Sequence, residues 1–461
     1  MNLKLTKHVT KNYQENSNKK FCQKHIKQKE FNYSFDNILK KLIFFQNSKI
    51  FVGVSGGSDS MLLSFFIKRW AEINQRKFQG IIVDHGLRKK SFEEAVITQR
   101  RLNSLGIQSN IFKLNPNDKR SGVQEWARYE RMSLLTGITS MERGILLLGH
   151  HLNDQVETIL MRMKKNTGFK GAGGINPIIE WYGVPIIRPM LRFSKSQILS
   201  TCVHNKISFE SDMSNFDEKY ERVRERNILE KINRNFFSLQ CFDRMSLAIR
   251  KINKEFDNAL SKSMFGNVNV DKLGWCEINF QWFMMLHQIV AKKILSTFLK
   301  MIGGQRYPSH RNKIDNIYEY IINHFQNDVK FCNRTIAGCK IRKWKNKLIL
   351  VRIPNQNNQI MKIPLWKKLI FDGRWIISGN IGDEFSYPNY NQAIKIRKTI
   401  DPQKKYPWEI WSSIPLKINA NKALDCIFNL DEMTKGTHLI DSIYGFNKKH
   451  LKIEFNEYSQ N

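Results

Sequence analysis

Six residues near the start of the chain, Ser55-Gly56-Gly57-Ser58-Asp59-Ser60, have the composition of a turn built around an anion. Two glycines let backbone N–H groups approach a phosphate with no Cβ in the way. A helix beginning behind them adds unpaired N–H groups and the positive end of its dipole. Ser55 and Ser60 can contribute hydroxyl donors. Asp59 is the odd member, because a carboxylate beside phosphates is repulsive unless a cation stands between them, which points to Mg²⁺ held on the phosphates of ATP. The Gly-Lys-Ser/Thr of a Walker A loop is missing, so a lysine cradle for the terminal phosphates is not expected. A plain Gly/Ser-rich strand-to-helix turn is the bland alternative.

Three other groups could do chemistry. Asp154 and Glu157, three apart at the start of a helix, share a face and present two carboxylates to a cation, though first-turn acids also simply favour a helix dipole. His150 and His151, at a strand end, can relay a proton or touch phosphate, or serve structure. Arg128 and Arg131 carry forked guanidinium groups suited to phosphate, or form a solvated basic helix face.

The elements that must position these residues are legible as alternating periodicities. Lys49 to Ser55, Gln79 to Asp84, Gln108 to Leu114, Ile145 to Gly149 and Val184 to Ile187 read as short apolar strands. Helix-period stretches separate them near Asp59 to Ile73, Phe92 to Leu105, Val123 to Leu135, Asp154 to Lys165 and Lys195 to His204. This alternation predicts an α/β fold with a doubly wound parallel sheet covered on both faces. Its ligand belongs beyond the carboxyl ends of the strands, where strand order switches. Beyond Phe216 the alternation stops. A basic N-terminal arm over 1–35, a catalytic domain over 36–216, a mostly helical domain over 217–340 and a small α+β domain over 341–461 are expected.

Bulk properties narrow the partners. With 75 Lys and Arg against 41 Asp and Glu, the formal charge is +34, a field that attracts polyanions and makes nucleic acid the first candidate; a Lys- and Asn-rich composition is the competing cause. Seven cysteines without CxxC or Cys/His ligand spacing argue against zinc and a disulfide framework and for a reducing, cytoplasmic setting. No apolar run reaches membrane-spanning length, and no membrane or stable protein partner is implied.

The loop resembles that of the PP-loop ATP pyrophosphatases (adenine nucleotide alpha hydrolase-like), which cleave ATP between the α and β phosphates and transfer AMP to a substrate oxygen. Four further segments are similar to the tRNA(Ile)-lysidine synthase family within that group: Val83-Asp84-His85-Gly86-Leu87-Arg88, Gly149-His150-His151-Leu152-Asn153-Asp154-Gln155-Val156-Glu157-Thr158, Arg188-Pro189-Met190-Leu191, and Asp212-Met213-Ser214-Asn215 followed by Arg222, Arg226 and Asn227. Asn153 stands where the family commonly has an acid, Met132 where it has Tyr, and Lys165-Asn166-Thr167-Gly168 where it has Arg-Gly-Ser-Gly. The resemblance implies ATP and Mg²⁺ as cofactors and L-lysine as a substrate held by Asp154 and Glu157. It also implies a tRNA(Ile) with a CAU anticodon as the polyanion, met by Arg88, Lys165, Lys170, Arg222 and Arg226. Ser55 to Ser60 would seat ATP, and Asp59, Arg128, Arg131, His150 and His151 would be catalytic. The rivals are a PP-loop tRNA thiolase, which commonly needs paired cysteines; an amidotransferase, which needs a glutaminase Cys; and a non-enzymatic RNA-binding protein with a degenerate loop.

Overall fold

The computed structural model describes residues 25–42, 45, 47–86, 90–114, 123–164, 171–181, 183–210, 239–271, 273–305, 308–326, 333–354, 360–363, 368–378, 380–403 and 407–418. The chain divides into two compact units, Met1–Lys254 and Glu255–Asn461.

The first unit runs α1 (Gln28–Leu39), β1 (Ile50–Val54), α2 (Ser58–Ile73), β2 (Phe78–Asp84), α3 (Ser91–Ser104), β3 (Ser109–Lys113), α4 (Val123–Met141), β4 (Ile145–Leu147), α5 (Leu152–Lys164), β5 (Ile178–Trp181), β6 (Val184–Ile187), α6 (Lys195–His204) and the first part of α7 (Leu239–Met264). Its sheet has the order β3-β2-β1-β4-β6-β5, parallel except for the β5–β6 hairpin. The chain builds outward from β1 through β2 to β3, then restarts on the other side with β4. The switch point therefore lies between β1 and β4, as the alternation predicts.

Both faces are covered. Ile50, Val52 and Val54 of β1 join a core with Met61, Leu62 and Phe66 of α2 and Ile198 and Cys202 of α6. On the opposite face a Cβ at Gly53 would stand 3.3 Å from Leu135 of α4, which brings that helix close against the strand.

Helix α1 corrects the expected arm. Phe31, Phe35 and Leu39, four residues apart, are buried in the same core, and the Trp70 indole N–H donates to Asp36 at 2.8 Å. The polar residues between them hide this stripe from a compositional reading. Residues 1–24 lie outside the described residues.

The second unit contains α8 (Phe280–Met285), α9 (Gln288–Ile302), α10 (Arg311–Gln326), α11 (Tyr390–Ile400), α12 (Trp408–Trp411) and strands β7 (Val268–Val270), β8 (Cys276–Asn279), β9 (Arg334–Ile336), β10 (Cys339–Trp344) and β11 (Lys347–Arg352). These strands make an antiparallel sheet of order β7-β8-β11-β10-β9. The boundary expected at 340/341 falls inside β10, and the sheet joins strands from both sides of it. The strands before that boundary, only three or four residues long and set among amphipathic helices, leave too little periodicity to be seen. One sheet face packs on α9 and α10 through Ile278, Ile341, Leu348 and Leu350; the other buries Ile349 and Val351 with Phe371, Trp375 and Trp411. Among the described residues no helix is long and apolar enough to cross a membrane.

A buried ion cluster locks this second core. Arg352 donates to both oxygens of Asp372, at 2.8 and 2.6 Å, and Arg374 adds a third bond at 3.0 Å. Burial raises the Asp372 pKa, but Arg374 and Arg352 outweigh it and hold the carboxyl below its usual range. Asp372→Asn leaves two buried guanidinium groups without their countercharge, so about 3–5 kcal/mol of stability should be lost. The check is the urea midpoint of the full chain, and an unchanged midpoint would show the cluster to be dispensable.

Candidate active site

Strand β1 delivers the chain to the switch point, where Gly56 turns it at φ +84°. A side chain there would be strained, and a Cβ would collide with Thr98. Gly57 differs: it is the N-cap of α2, offers no side-chain cap, and has only Ser55 Oγ, at 3.9 Å, near the place of a Cβ. The first N–H groups of α2 lack carbonyl partners within the helix, and this opening lets an anion reach them.

Ser60 has a different role from the expected one. It is buried; its hydroxyl accepts from the Ser55 N–H at 3.1 Å and donates to the Gly57 carbonyl at 3.1 Å. It ties the loop together from inside. The Gly56 carbonyl accepts from the Glu210 N–H at 2.9 Å, and Glu210 pairs with Arg101 at 3.2 Å, which pins the outer side of the turn.

Asp59, on the first turn of α2, already has a cation. The Lys195 ammonium stands 2.6 Å from its Oδ1 and 2.8 Å from Ser58 Oγ. Lys195 opens α6, whose N-cap Ser194 accepts from the Gln197 N–H. The backbone N–H of Lys195 donates to Asn153 Oδ1 at 2.9 Å. His151 completes the group, its Nε2 3.7 Å from Asp59 and 3.6 Å from Asp154. His151 and Asp154 also cap α5 reciprocally. The His151 N–H donates to Asp154 Oδ2 at 3.0 Å, and the Asp154 N–H donates to His151 Nδ1 at 3.4 Å. Glu157 is buried one turn further on.

Across the carboxyl ends of β2, β4 and β6, four buried polar atoms have no hydrogen-bond partner among the described residues: Asp84 Oδ2, His85 Nδ1, His150 Nδ1 and Arg188 Nε. Native interiors seldom leave such groups unpaired. Arginines crowd the same place. Burial, then Arg128 and Arg162, pushes the Arg188 guanidinium down to about 10. Burial, then Arg188, Arg128 and Arg131, pushes His150 down to about 3 against the pull of Asp154. Burial and Arg131 push His85 down to about 4 against Asp84. Clustered guanidinium groups with neutral imidazoles among them form a seat for a multiply charged anion.

Residues 27–232 match the PP-loop domain family. Curated relatives extend the likeness well beyond that domain. The tRNA(Ile)-lysidine synthase of Rickettsia akari (strain Hartford) is 30% identical over 76% of this chain and 80% of its own length. The chain belongs to the tRNA(Ile)-lysidine synthase family. The enzymes of that name from Wolbachia sp. subsp. Brugia malayi (strain TRS) and Rickettsia prowazekii (strain Madrid E) are 28% and 30% identical, covering 82% and 76% of this chain and 88% and 80% of theirs.

Membership of the lysidine synthase family brings ATP with it, and the geometry explains one departure from the family pattern. Asn153 needs only an acceptor oxygen for Lys195, which an amide supplies as well as an acid. Arg128, Arg131, His150, His151, Asp154 and residues Ser55 to Ser60 gather at the β1/β4 switch point. Arg88, Lys165, Lys170, Arg222 and Arg226, with Asp212, Ser214 and Asn215, lie outside the described residues. Lys195 is an addition. Lys195 lies 136 positions from Asp59, so no local spacing could link the two. Arg188 and His85 were visible in their motifs, and each follows the end of a strand, where this fold presents ligands.

The imidazoles give a pH test. In an unfolded chain they titrate near 6.5, so below that value, down to about 4 for His85 and 3 for His150, the unfolded chain binds protons that the native chain does not. Stability is therefore full above pH 6.5 and declines as pH falls through that window. Nitrogen-15 NMR should find both rings neutral at pH 5, and a midpoint near 6.5 for either would contradict their placement beside the arginines.

Proposed function

We propose that the chain joins L-lysine to C2 of the wobble cytidine in a tRNA(Ile) bearing a CAU anticodon, converting ATP to AMP and pyrophosphate. The single observation carrying this reading is the convergence at the switch point of an uncapped helix N-terminus with the arginines around Arg188. The first suits the phosphates of ATP and the second suits charge that develops at the α-phosphate.

In the first step cytosine O2 attacks the α-phosphorus. The O2–P bond forms, the bond between Pα and its bridging oxygen breaks, and pyrophosphate leaves with the electron pair. In the second, a deprotonated amine of lysine attacks C2, the C2–O2 bond breaks, and AMP departs with that oxygen. Adenylation is needed because the carbonyl oxygen leaves poorly and AMP leaves well. The product pairs with adenine, which moves codon reading from AUG to AUA.

Residue roles follow from position. Gly57 and the first turn of α2 receive the phosphates, with Ser55 beside them, while Gly56 and Ser60 hold the loop's shape. Asp59, with the Ser58 hydroxyl 3.5 Å away, suits Mg²⁺, which keeps several waters and is usually held by one or two carboxylates plus substrate phosphates. Bound there, Mg²⁺ would neutralise phosphate charge. Among the described residues no three His, Cys, Asp or Glu side chains converge on a metal by themselves, which fits a cation that arrives with its nucleotide. Arg128, Arg131 and Arg188 face the charge on the adenylated intermediate. Neutral His150 can accept a proton, and His151 orients Asp154. Asp154 and Glu157 hold the lysine. A carboxylate offers about four acceptor sites, so the helix cap does not exhaust Asp154. The basic second unit grips the tRNA, and the reaction belongs in the cytoplasm. The thiolase alternative gains nothing from the cysteines: burial raises the thiol pKa of Cys202, Cys276 and Cys339, which disfavours thiolate chemistry.

Purified protein with unmodified tRNA(Ile), ATP and labelled lysine should put label into the tRNA with equal amounts of AMP and pyrophosphate. Asp59→Asn should cut pyrophosphate formation by about a hundredfold or more, the usual effect of losing one charge-stabilising group. AMP without label would remove lysine from the reading, and neither product would leave a binding protein.

A further inference from the structure

We propose that Lys195 is a phosphate-binding residue held in reserve on Asp59, transferring its ammonium to the departing pyrophosphate when the metal nucleotide enters. The proposal rests on the adenylation reading above.

Three observations support it. The Lys195 ammonium bridges Asp59 Oδ1 and Ser58 Oγ, so it sits over the first turn of α2, where phosphates are received. Its side chain keeps 36% of its exposure and that of Asp59 28%, so the pair faces an accessible site. Its backbone is anchored independently, by Asn153 and by the capped start of α6, so the four-carbon stem can move while its root stays fixed.

The electrostatics then require an exchange. A divalent cation and an ammonium repel each other strongly on a single carboxylate, so Lys195 must withdraw as Asp59 accepts the metal. The nearest negative charge is the phosphate chain itself. A flexible stem with three rotatable donors suits it to follow that charge. When the bond between Pα and its bridging oxygen breaks, the electron pair and the growing charge go to pyrophosphate, where a cation contributes most. In the absence of nucleotide, Lys195 also neutralises Asp59, so the loop holds its shape without metal.

The test uses the full chain, Mn²⁺ as an EPR-visible probe, and the variants Lys195→Met, Lys195→Arg and Asp59→Asn. With no nucleotide, Lys195→Met should bind Mn²⁺ about tenfold more tightly than the wild type, because Asp59 has lost its competitor. Its single-turnover release of pyrophosphate with saturating ATP, Mg²⁺ and tRNA should nevertheless slow about a hundredfold, with KM for tRNA unmoved. Lys195→Arg should keep weak Mn²⁺ binding and recover part of the rate. Tighter metal binding shows that Lys195 holds Asp59 at rest, and slower chemistry with KM for tRNA unmoved and a partial recovery in Lys195→Arg separates a phosphate-binding cation from a lysine that only supports the loop. A Lys195→Met variant that releases pyrophosphate at the wild-type rate, or slows without gaining Mn²⁺ affinity, overturns the proposal. Failure of the adenylation reading looks different: Asp59→Asn would then form pyrophosphate normally, whatever Lys195→Met does.

Discussion

A carboxylate at the start of a helix is favoured by the helix dipole, and a phosphate at the same place is favoured for the same reason. Asp59 and a nucleotide therefore compete for one positive pole unless another cation joins them. The first unit is organised around that constraint. Strand β1 brings the turn, β4 brings His151 and Asp154, and the segment after β6 brings Lys195, each to the carboxyl edge of the sheet. Lys195 lies 2.6 Å from Asp59, close enough to hold the carboxylate, and on a side chain long enough to release it.

The topology makes such an assembly possible at short range. Because the strand order reverses between β1 and β4, the loops after these two strands diverge to opposite sides and leave a crevice between them. Gly149 lets the β4 loop close in: a Cβ there would lie 3.1 Å from the backbone of Asp59 and Ser60. On the far side of α5, the buried Gln155 side chain accepts from the Ile175 N–H and donates to Ser246 Oγ at 2.6 Å, tying that helix to the 171–175 turn and to α7. The pair of acids on α5 is thus carried on a helix fixed at both its cap and its flank. Precision at the site comes from these supports, since a group about 1 Å out of place loses much of its effect.

How much of this could be read beforehand follows a physical rule. Most of the parallel strands are largely buried apolar runs, β3 at the sheet edge excepted, and helix-period stretches separate them; such patterns are local, so β1, β2, β3, β4 and β6 were all legible. The turn after β1 was legible because Gly56 answers a local demand on φ. The β5 strand, half-buried and only four residues long, carries too little pattern to announce itself, and the same holds for the three-residue strands β7 and β9 of the second unit. Lys195 was invisible for another reason: an ion pair across 136 residues is a product of topology. The bracing bonds of Ser60 were not legible, because a hydroxyl in such a loop looks the same in sequence whether it faces a ligand or ties the turn. Asp154 stands in the first turn of α5, where it caps the helix together with His151.

The positive charge of this molecule works at two ranges. The formal +34 acts over the distances at which a polyanion is captured, is screened within roughly 8 Å at physiological salt, and gives affinity without discrimination between sequences. The cluster around Arg188 acts at contact. Burial has removed much of the hydration of Arg188, which lowers its pKa, and burial together with the nearby arginines lowers the pKa of His150 and His85, so charge at Arg188 is screened less than on the open surface. The first unit carries these arginines at the edge where its strands end, the edge at which an α/β sheet of this kind receives its ligands. The Nε of Arg188, without a hydrogen-bond partner among the described residues, and the carboxylate of Asp59, held by a lysine at 2.6 Å, are the two charges at that edge that a phosphate would meet from opposite signs.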